Sequence, residues 1–200
     1  MKRILVSFLL LCLVSFSTQV KSFAYSADPE KFISEIIDEV KLILNSNVSK
    51  EEKAEKLSVI ALKTVDVKGI GYYTLGKKRK EITPEELKKY DELFEKYFLK
   101  SFTSRLTDYS DPKISVLSAE KNSEKYTIVK TKLLKTDKKP EVKIDWRVYT
   151  KNPDKPLIRD LIVEGLSLAR TQKEEFASIL STNNQDINAL FNKLEEFVNN

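Results

Sequence analysis

Residues 142–149, Val142-Lys143-Ile144-Asp145-Trp146-Arg147-Val148-Tyr149, change character at almost every step. A strand sends successive side chains to opposite faces. One face is therefore Val142, Ile144, Trp146 and Val148, and the other Lys143, Asp145, Arg147 and Tyr149. A lone strand is not stable, and the flanking chain supplies neighbours. Residues 113–120, 125–134 and 157–168 have similar composition, which with 142–150 predicts four consecutive strands. The links (Asn122-Ser123, residues 136–140 and 152–156) are short and polar, which predicts an antiparallel meander. The fourth segment mixes parity, so the pattern does not assign its buried face.

Upstream of residue 113 the apolar period is helical. Phe32, Ile33, Ile36, Ile37, Val40, Ile43 and Leu44 form a stripe behind Pro29, which suits a first turn. Ser49 with Glu52 opens a second helix, with Ala54, Leu57, Ile60 and Ala61 on its apolar face. A short helical turn is expected from Asp66. Thr83-Pro84-Glu85-Glu86 opens the clearest helix, with Thr as cap, Pro in the first turn and Glu three residues after the cap. Its stripe of Leu87, Tyr90, Leu93, Phe94, Tyr97, Phe98, Phe102, Leu106 and Tyr109 is broad enough to pack on a sheet, opposite Trp146. Two more helices, about 171–181 and 185–198, close the chain. The expected class is α+β: N-terminal helices, a four-stranded antiparallel sheet, then C-terminal helices.

The first residues predict export. Lys2 and Arg3 precede an apolar run over 4–14, and Ser22-Phe23-Ala24 has the small-x-small pattern of a cleavage site. Residues 1–24 are thus expected to be a signal peptide and residues 25–200 a single domain. The apolar run is about half the roughly 20 residues a bilayer span needs. Cys12 lies inside that run behind a bulky leucine, which makes it a poor lipidation site. Loss of Lys2, Arg3 and Lys21 leaves 32 basic residues of 35 against 30 acidic ones, so the net charge falls from +5 to +2. That balance argues against nucleic acid as a partner. The cleaved chain would also lack Cys, and the sequence has 0 His, so no disulfide, thiol nucleophile, imidazole base or usual zinc site is expected.

Three of the 4 glycines fall in Gly69-Ile70-Gly71-Tyr72-Tyr73-Thr74-Leu75-Gly76. Gly71 to Lys77 nearly spells a phosphate-binding loop. However, Lys78 stands where the Mg²⁺-holding hydroxyl should be, and no apolar strand precedes it. The glycines are better explained by a sharp turn and a close approach, with Ile70, Tyr73 and Leu75 pointing into apolar surroundings. Lys77-Lys78-Arg79-Lys80 is the only dense basic run, either a solvated loop or a contact for anionic head groups or an acidic partner. Asp145 and Arg147 on the third strand, with Asp160 and Glu164 on the fourth, are expected to form surface ion pairs rather than a catalytic pair.

Several of these segments carry a resemblance in order along the chain. They are Val65-Asp66 with Gly71–Gly76, Thr83-Pro84-Glu85, Ser104-Arg105-Leu106 with Tyr109, Ile144-Asp145-Trp146-Arg147, and Asp160-Leu161-Ile162-Val163-Glu164-Gly165-Leu166-Ser167-Leu168. Gln172 with Glu175-Phe176-Ala177-Ser178 completes the set. Together they resemble the MlaC-type periplasmic phospholipid-binding proteins, the toluene-tolerance family. The chain departs at Arg79, Pro156 and Lys173, where relatives often have Trp, Trp and Arg.

The resemblance implies a non-enzymatic periplasmic carrier that needs no cofactor. It would bury the acyl chains of a glycerophospholipid between sheet and helices. It would shuttle that lipid between an outer-membrane lipoprotein–porin complex and an inner-membrane ABC transporter bearing an MCE ring, maintaining outer-membrane lipid asymmetry. Lipid contacts are then expected from Ile70, Tyr73, Leu75, Phe94, Phe98, Phe102, Trp146, Val148, Val163, Leu166, Leu168 and Phe176. Head-group or partner contacts would come from Lys77, Lys78, Arg79 and Lys80. The competing functions are a periplasmic adaptor with a plain core and, behind it, an enzyme on a cone-shaped α+β scaffold.

Overall fold

A computed structural model describes residues 25–108, 111–136 and 140–200. The expected signal segment 1–24, Tyr109, and residues 137–139 of the second link lie outside the described residues. The elements run α1 (Pro29–Leu44), α2 (Lys50–Thr64), α3 (Val67–Leu75), a 3-10 turn (Gly76–Lys80), α4 (Pro84–Leu106) and β1 (Ile114–Lys121). They continue with β2 (Tyr126–Leu133), β3 (Val142–Tyr149), β4 (Leu157–Val163), β5 (Leu166–Ser167), α5 (Leu168–Thr182) and α6 (Ile187–Asn199).

Side-chain caps place the helix starts. Asp28 Oδ1 accepts from Lys31 N–H (2.9 Å) and Ser49 Oγ from Glu52 N–H (3.1 Å). Thr83 and Glu86 complete a reciprocal capping box, Glu86 N–H donating to Thr83 Oγ1 (3.2 Å) and Thr83 N–H to Glu86 Oε2 (2.8 Å). Each such cap is typically worth about 1 kcal/mol. Gly71 lies inside α3 because a Cβ there would meet Phe94 Cδ1 at 2.8 Å, so it sets how closely α3 approaches α4. Gly76 ends the helix at φ 61. The amides that resembled a phosphate loop are therefore spent inside a helix.

The strands form one antiparallel sheet in the order β1-β2-β3-β4-β5. The expected four-stranded meander is present, with one correction. The segment 157–168 is not a single strand: Glu164 (φ 49) and Gly165 (φ 82) turn the chain, and Leu166-Ser167 return as β5. Two consecutive positive φ values suit the twist of a two-residue hairpin. Ser167 then caps α5, which begins at Leu168, earlier than expected.

The mixed parity of β4 also has a physical cause. Arg147 opposes Asp160 and Val148 opposes Ile158, so Arg159 is an extra residue in a bulge. Before the bulge Ile158 faces inward with Val148; after it Leu161 and Val163 face inward with Trp146 and Ile144.

Two apolar cores result. One joins α1 and α2 to the sheet through Phe32, Ile33, Ile36, Ile37, Ile60, Val129, Val148 and Ile158. The other is wholly helical: Val67 and Leu75 of α3, Tyr90 and Phe94 of α4, Phe176 and Leu180 of α5, and Ile187, Leu190, Phe191 and Leu194 of α6. Helix α4 packs on α2, α3 and α6 and is not applied to the sheet, contrary to the expected pairing of its aromatic stripe with Trp146. The inner face of the sheet is covered instead by α1, with Phe32, Ile33, Ile36 and Ile37, and by Ile60 of α2.

Candidate functional site

The inner face of the sheet is sealed at one end only. Val129, Val148 and Ile158 are buried, whereas Leu133, Ile144, Trp146, Leu161 and Val163 on the same face are half-buried. Trp146 is held in orientation, its indole N–H donating to Thr131 Oγ1 (2.9 Å) and the Thr131 hydroxyl donating to the Ile144 carbonyl (2.9 Å). Helix α4 grades the same way. Phe94 is buried, and Phe98, Phe102 and Leu106 further along are half-buried. Phe98 and Phe102 stack at 5.9 Å with nearly parallel rings. Helix α2 touches both layers, giving Ile60 to the sheet core while packing on α4.

Motif residues build the frame that joins the layers. Asp66 caps α3 by accepting from Gly69 N–H (2.9 Å) and takes the Arg159 guanidinium at 2.6 Å. Arg159, offered by the bulge, also donates to Tyr126 Oη (3.2 Å) and lies 3.7 Å from the Tyr149 ring centroid. Burial pulls the Arg159 pKa down, but its bonds to Tyr126 and Asp66 outweigh this and hold it above the ordinary value. The backbone adds Asp66 N–H to the Ile158 carbonyl (2.9 Å).

Asp160 was expected on the surface and is instead 4% exposed. It accepts from Ser167 Oγ (2.6 Å), Ala169 N–H (3.0 Å) and Arg147 (3.4 Å), tying the hairpin and α5 to β4. Glu164 lies in the turn rather than in a strand and accepts from Lys143 N–H. These carboxylates are occupied as structural acceptors. Among the described residues no group of three or more His, Cys, Asp or Glu could hold a metal ion. What the half-buried walls offer is apolar contact.

The expected lipid-contact residues divide into three sets. Ile70, Leu75, Phe94, Phe98 and Phe176 belong to or pack on the helical core, and Phe102 stacks on Phe98. Trp146, Val148 and Val163 share the inner face of the sheet. Tyr73, Leu166 and Leu168 are exposed, at 44%, 69% and 40%. The expectation that Tyr73 points into apolar surroundings is corrected: helix α3 turns Ile70 and Leu75 inward, and Tyr73 outward beneath Lys173, whose Nζ lies 4.9 Å from the ring centroid.

The basic run divides too. Lys78 pairs with Glu81 (3.6 Å) and Arg79 lies over the Tyr72 ring (5.2 Å), while Lys77 and Lys80 are exposed. The site reading missed the share of α1 and α6 in shaping these walls. Both helices carry a clear apolar stripe, Phe32-Ile33-Ile36-Ile37 and Ile187-Leu190-Phe191-Leu194, which could have marked them.

A sheet covered on one face by a helix pair, with a separate helical layer tied to it at one seam, defines a scaffold with apolar walls rather than a constellation of reactive groups. The chain belongs to the MlaC family, whose model (MlaC protein) matches residues 34–196. Among solved structures it is similar to a phospholipid-binding protein from Ralstonia solanacearum, determined in complex with a phospholipid. The two share 17% identity with a TM-score of 0.72 over 86% of this chain and 97% of that one. None of the curated proteins matches the sequence.

Proposed function

We propose that this protein is a non-enzymatic periplasmic carrier of glycerophospholipid, exported with cleavage near Ala24, and that acyl chains enter between the α4 layer and the open end of the sheet. The observation that carries this reading is the pair of half-buried apolar faces. Phe98, Phe102 and Leu106 lie on α4, which packs on α2, α3 and α6, and Ile144, Trp146 and Val163 lie on the sheet, which the helical layer meets through α3 and α5 instead. Membership of the MlaC family and the phospholipid held by the Ralstonia neighbour support it.

The energetics suit a shuttle. A free phospholipid exposes about 30 methylenes worth ~0.8 kcal/mol each, so crossing water unaided costs ~20 kcal/mol or more. A carrier replaces one hydrocarbon environment with another, so loading and unloading stay near balance. The proposed route runs between an outer-membrane lipoprotein–porin complex and an inner-membrane ABC transporter with an MCE ring, and serves outer-membrane lipid asymmetry. The direct test is purification without detergent, followed by lipid extraction and mass spectrometry. Stoichiometric glycerophospholipid is expected, and a lipid-free protein that takes up none from vesicles would overturn the reading.

A further inference from the structure

The folded chain brings a cation from α5 to the basic run. Gly76 turns the chain beside the stem of Lys173: a Cβ on Gly76 would stand 3.4 Å from Lys173 Cε. Lys77 therefore emerges next to a residue almost a hundred positions away. Tyr73, exposed on the last turn of α3, lies under the Lys173 ammonium at 4.9 Å. Arg79 lies 5.2 Å from the Tyr72 ring centroid, and Lys68 approaches the same ring at 5.3 Å.

The acidic neighbours are accounted for. Asp91 holds Lys68 (3.0 Å) and accepts from Tyr72, and Glu81 holds Lys78 (3.6 Å). Among the described residues no carboxylate pairs with Lys77, Arg79, Lys80 or Lys173. Lys77, Arg79 and Lys80, in the turn that follows the outward-facing Tyr73, and Lys173, over its ring, are thus cations without a carboxylate partner.

We infer that this group, Tyr73 with Lys77, Arg79, Lys80 and Lys173, docks the protein reversibly on an anionic phospholipid surface. The inference rests on the carrier reading and adds to it the face that meets the membrane. Its chemistry is complementary to such a surface. Lysine ammoniums are attracted to anionic head groups, while a tyrosine ring with a polar tip partitions to the interface between head groups and chains. An acidic protein surface would reward the cations, but it would give the exposed ring no apolar layer to enter.

The test is co-flotation of the purified chain with phosphatidylglycerol-containing vesicles and with phosphatidylcholine vesicles, at low salt and near 0.15 M. Retention on the anionic vesicles that weakens with salt is expected, because exposed charges are screened within about 8 Å at the higher ionic strength. Lys77→Gln with Lys80→Gln should lower partitioning by roughly thirtyfold, since each basic residue near the surface contributes about a fivefold factor. Tyr73→Ser should lower it further at both salt concentrations, because ring insertion is not screened. Melting midpoints of the variants should match the parent, since all three positions are exposed.

Equal retention of parent and variants, or of the parent on both vesicle types, overturns the inference. So does loss with the lysine pair but not with Tyr73→Ser, because the ring would then have no place in the contact. Co-purifying lipid measured on the same variants separates the two proposals: unchanged lipid content with lost flotation leaves the carrier reading intact.

Discussion

The two cores differ in what fills them. The helical core is dense with aromatic rings and keyed by buried hydroxyls. Tyr90 is fully buried, its Oη lies 2.9 Å from Thr74 Oγ1, and both oxygens lie within reach of the Gly71 carbonyl (3.1 and 2.9 Å), so two hydroxyl protons are shared among three contacts. Phe94 stacks on Tyr90 and meets Phe176 edge-on. The sheet core is largely aliphatic and grades into half-buried side chains at one end. A close-packed interior is felt at every methylene, whereas a wall that is already open loses little when trimmed. On the proposed function the helical core is the rigid anchor, and the open end of the sheet with the far half of α4 supplies the walls for the lipid.

The sharpest way to break this contrast is to truncate one ring on either side of the gradient along α4. Phe94→Ala removes a buried ring and should cost about 3–5 kcal/mol, seen as a large fall in the urea midpoint. Phe102→Ala, half-buried and two turns further on, should cost less than half as much while lowering bound phospholipid per folded protein. Equal destabilisation by the two, with lipid unaffected, would make α4 ordinary core from end to end.

The seam is the next target. Asp66→Ala removes the α3 cap and leaves Arg159 without its carboxylate, a loss of about 2–3 kcal/mol. The sole tryptophan, Trp146, lies against the sheet core, so its fluorescence follows that layer while far-ultraviolet circular dichroism follows mainly the helices. In the parent the two unfolding curves should coincide; in Asp66→Ala they should separate. Coincident curves in the variant would mean that the cores are coupled by something other than this clamp.

The smallest expected effect is alkaline. Burial, partly opposed by the Thr74 bond, raises the Tyr90 pKa above the ordinary 10.0. Its contribution is therefore complete below about pH 10. It declines as pH rises further, because the unfolded chain ionises first. Tyr90→Phe should lower stability by about 1–2 kcal/mol at neutral pH and flatten the alkaline decline without abolishing it. Part of the decline remains because Tyr25 and Tyr97 are raised as well, both chiefly by burial. Urea midpoints across the alkaline range check this, and an unchanged slope would remove Tyr90 from the account.

Much of the architecture was legible because it is local. The Thr83–Glu86 box, the Ser49 cap, Pro29 in a first turn and the two-residue period of β3 depend on neighbours within a few positions, and all are present. The break in 157–168 was harder to see. Glu164-Gly165 is a turn pair only if Glu accepts a positive φ, and the bulge at Arg159 exists because the Asp66 carboxylate, far away in sequence, receives the extra side chain. The candidate site was legible as a set of apolar residues but not as a grouping. Periodicity identifies which side of a helix is apolar, not what that side meets.

The sequence alone determined the class of the fold, the order of its elements, the MlaC resemblance and the absence of histidine, all of which reside in local pattern and composition. Only the tertiary structure decided that α1 and α2 cover the sheet while α4 packs among helices, that Asp160 is buried, and that Tyr73 faces outward beneath Lys173. The reason is physical. Helix propensity, capping and strand alternation are set over a few residues, but the choice of which apolar face meets which depends on fitting whole surfaces at van der Waals distance. That fit involves residues as distant as Gly71 and Phe94, or Gly76 and Lys173.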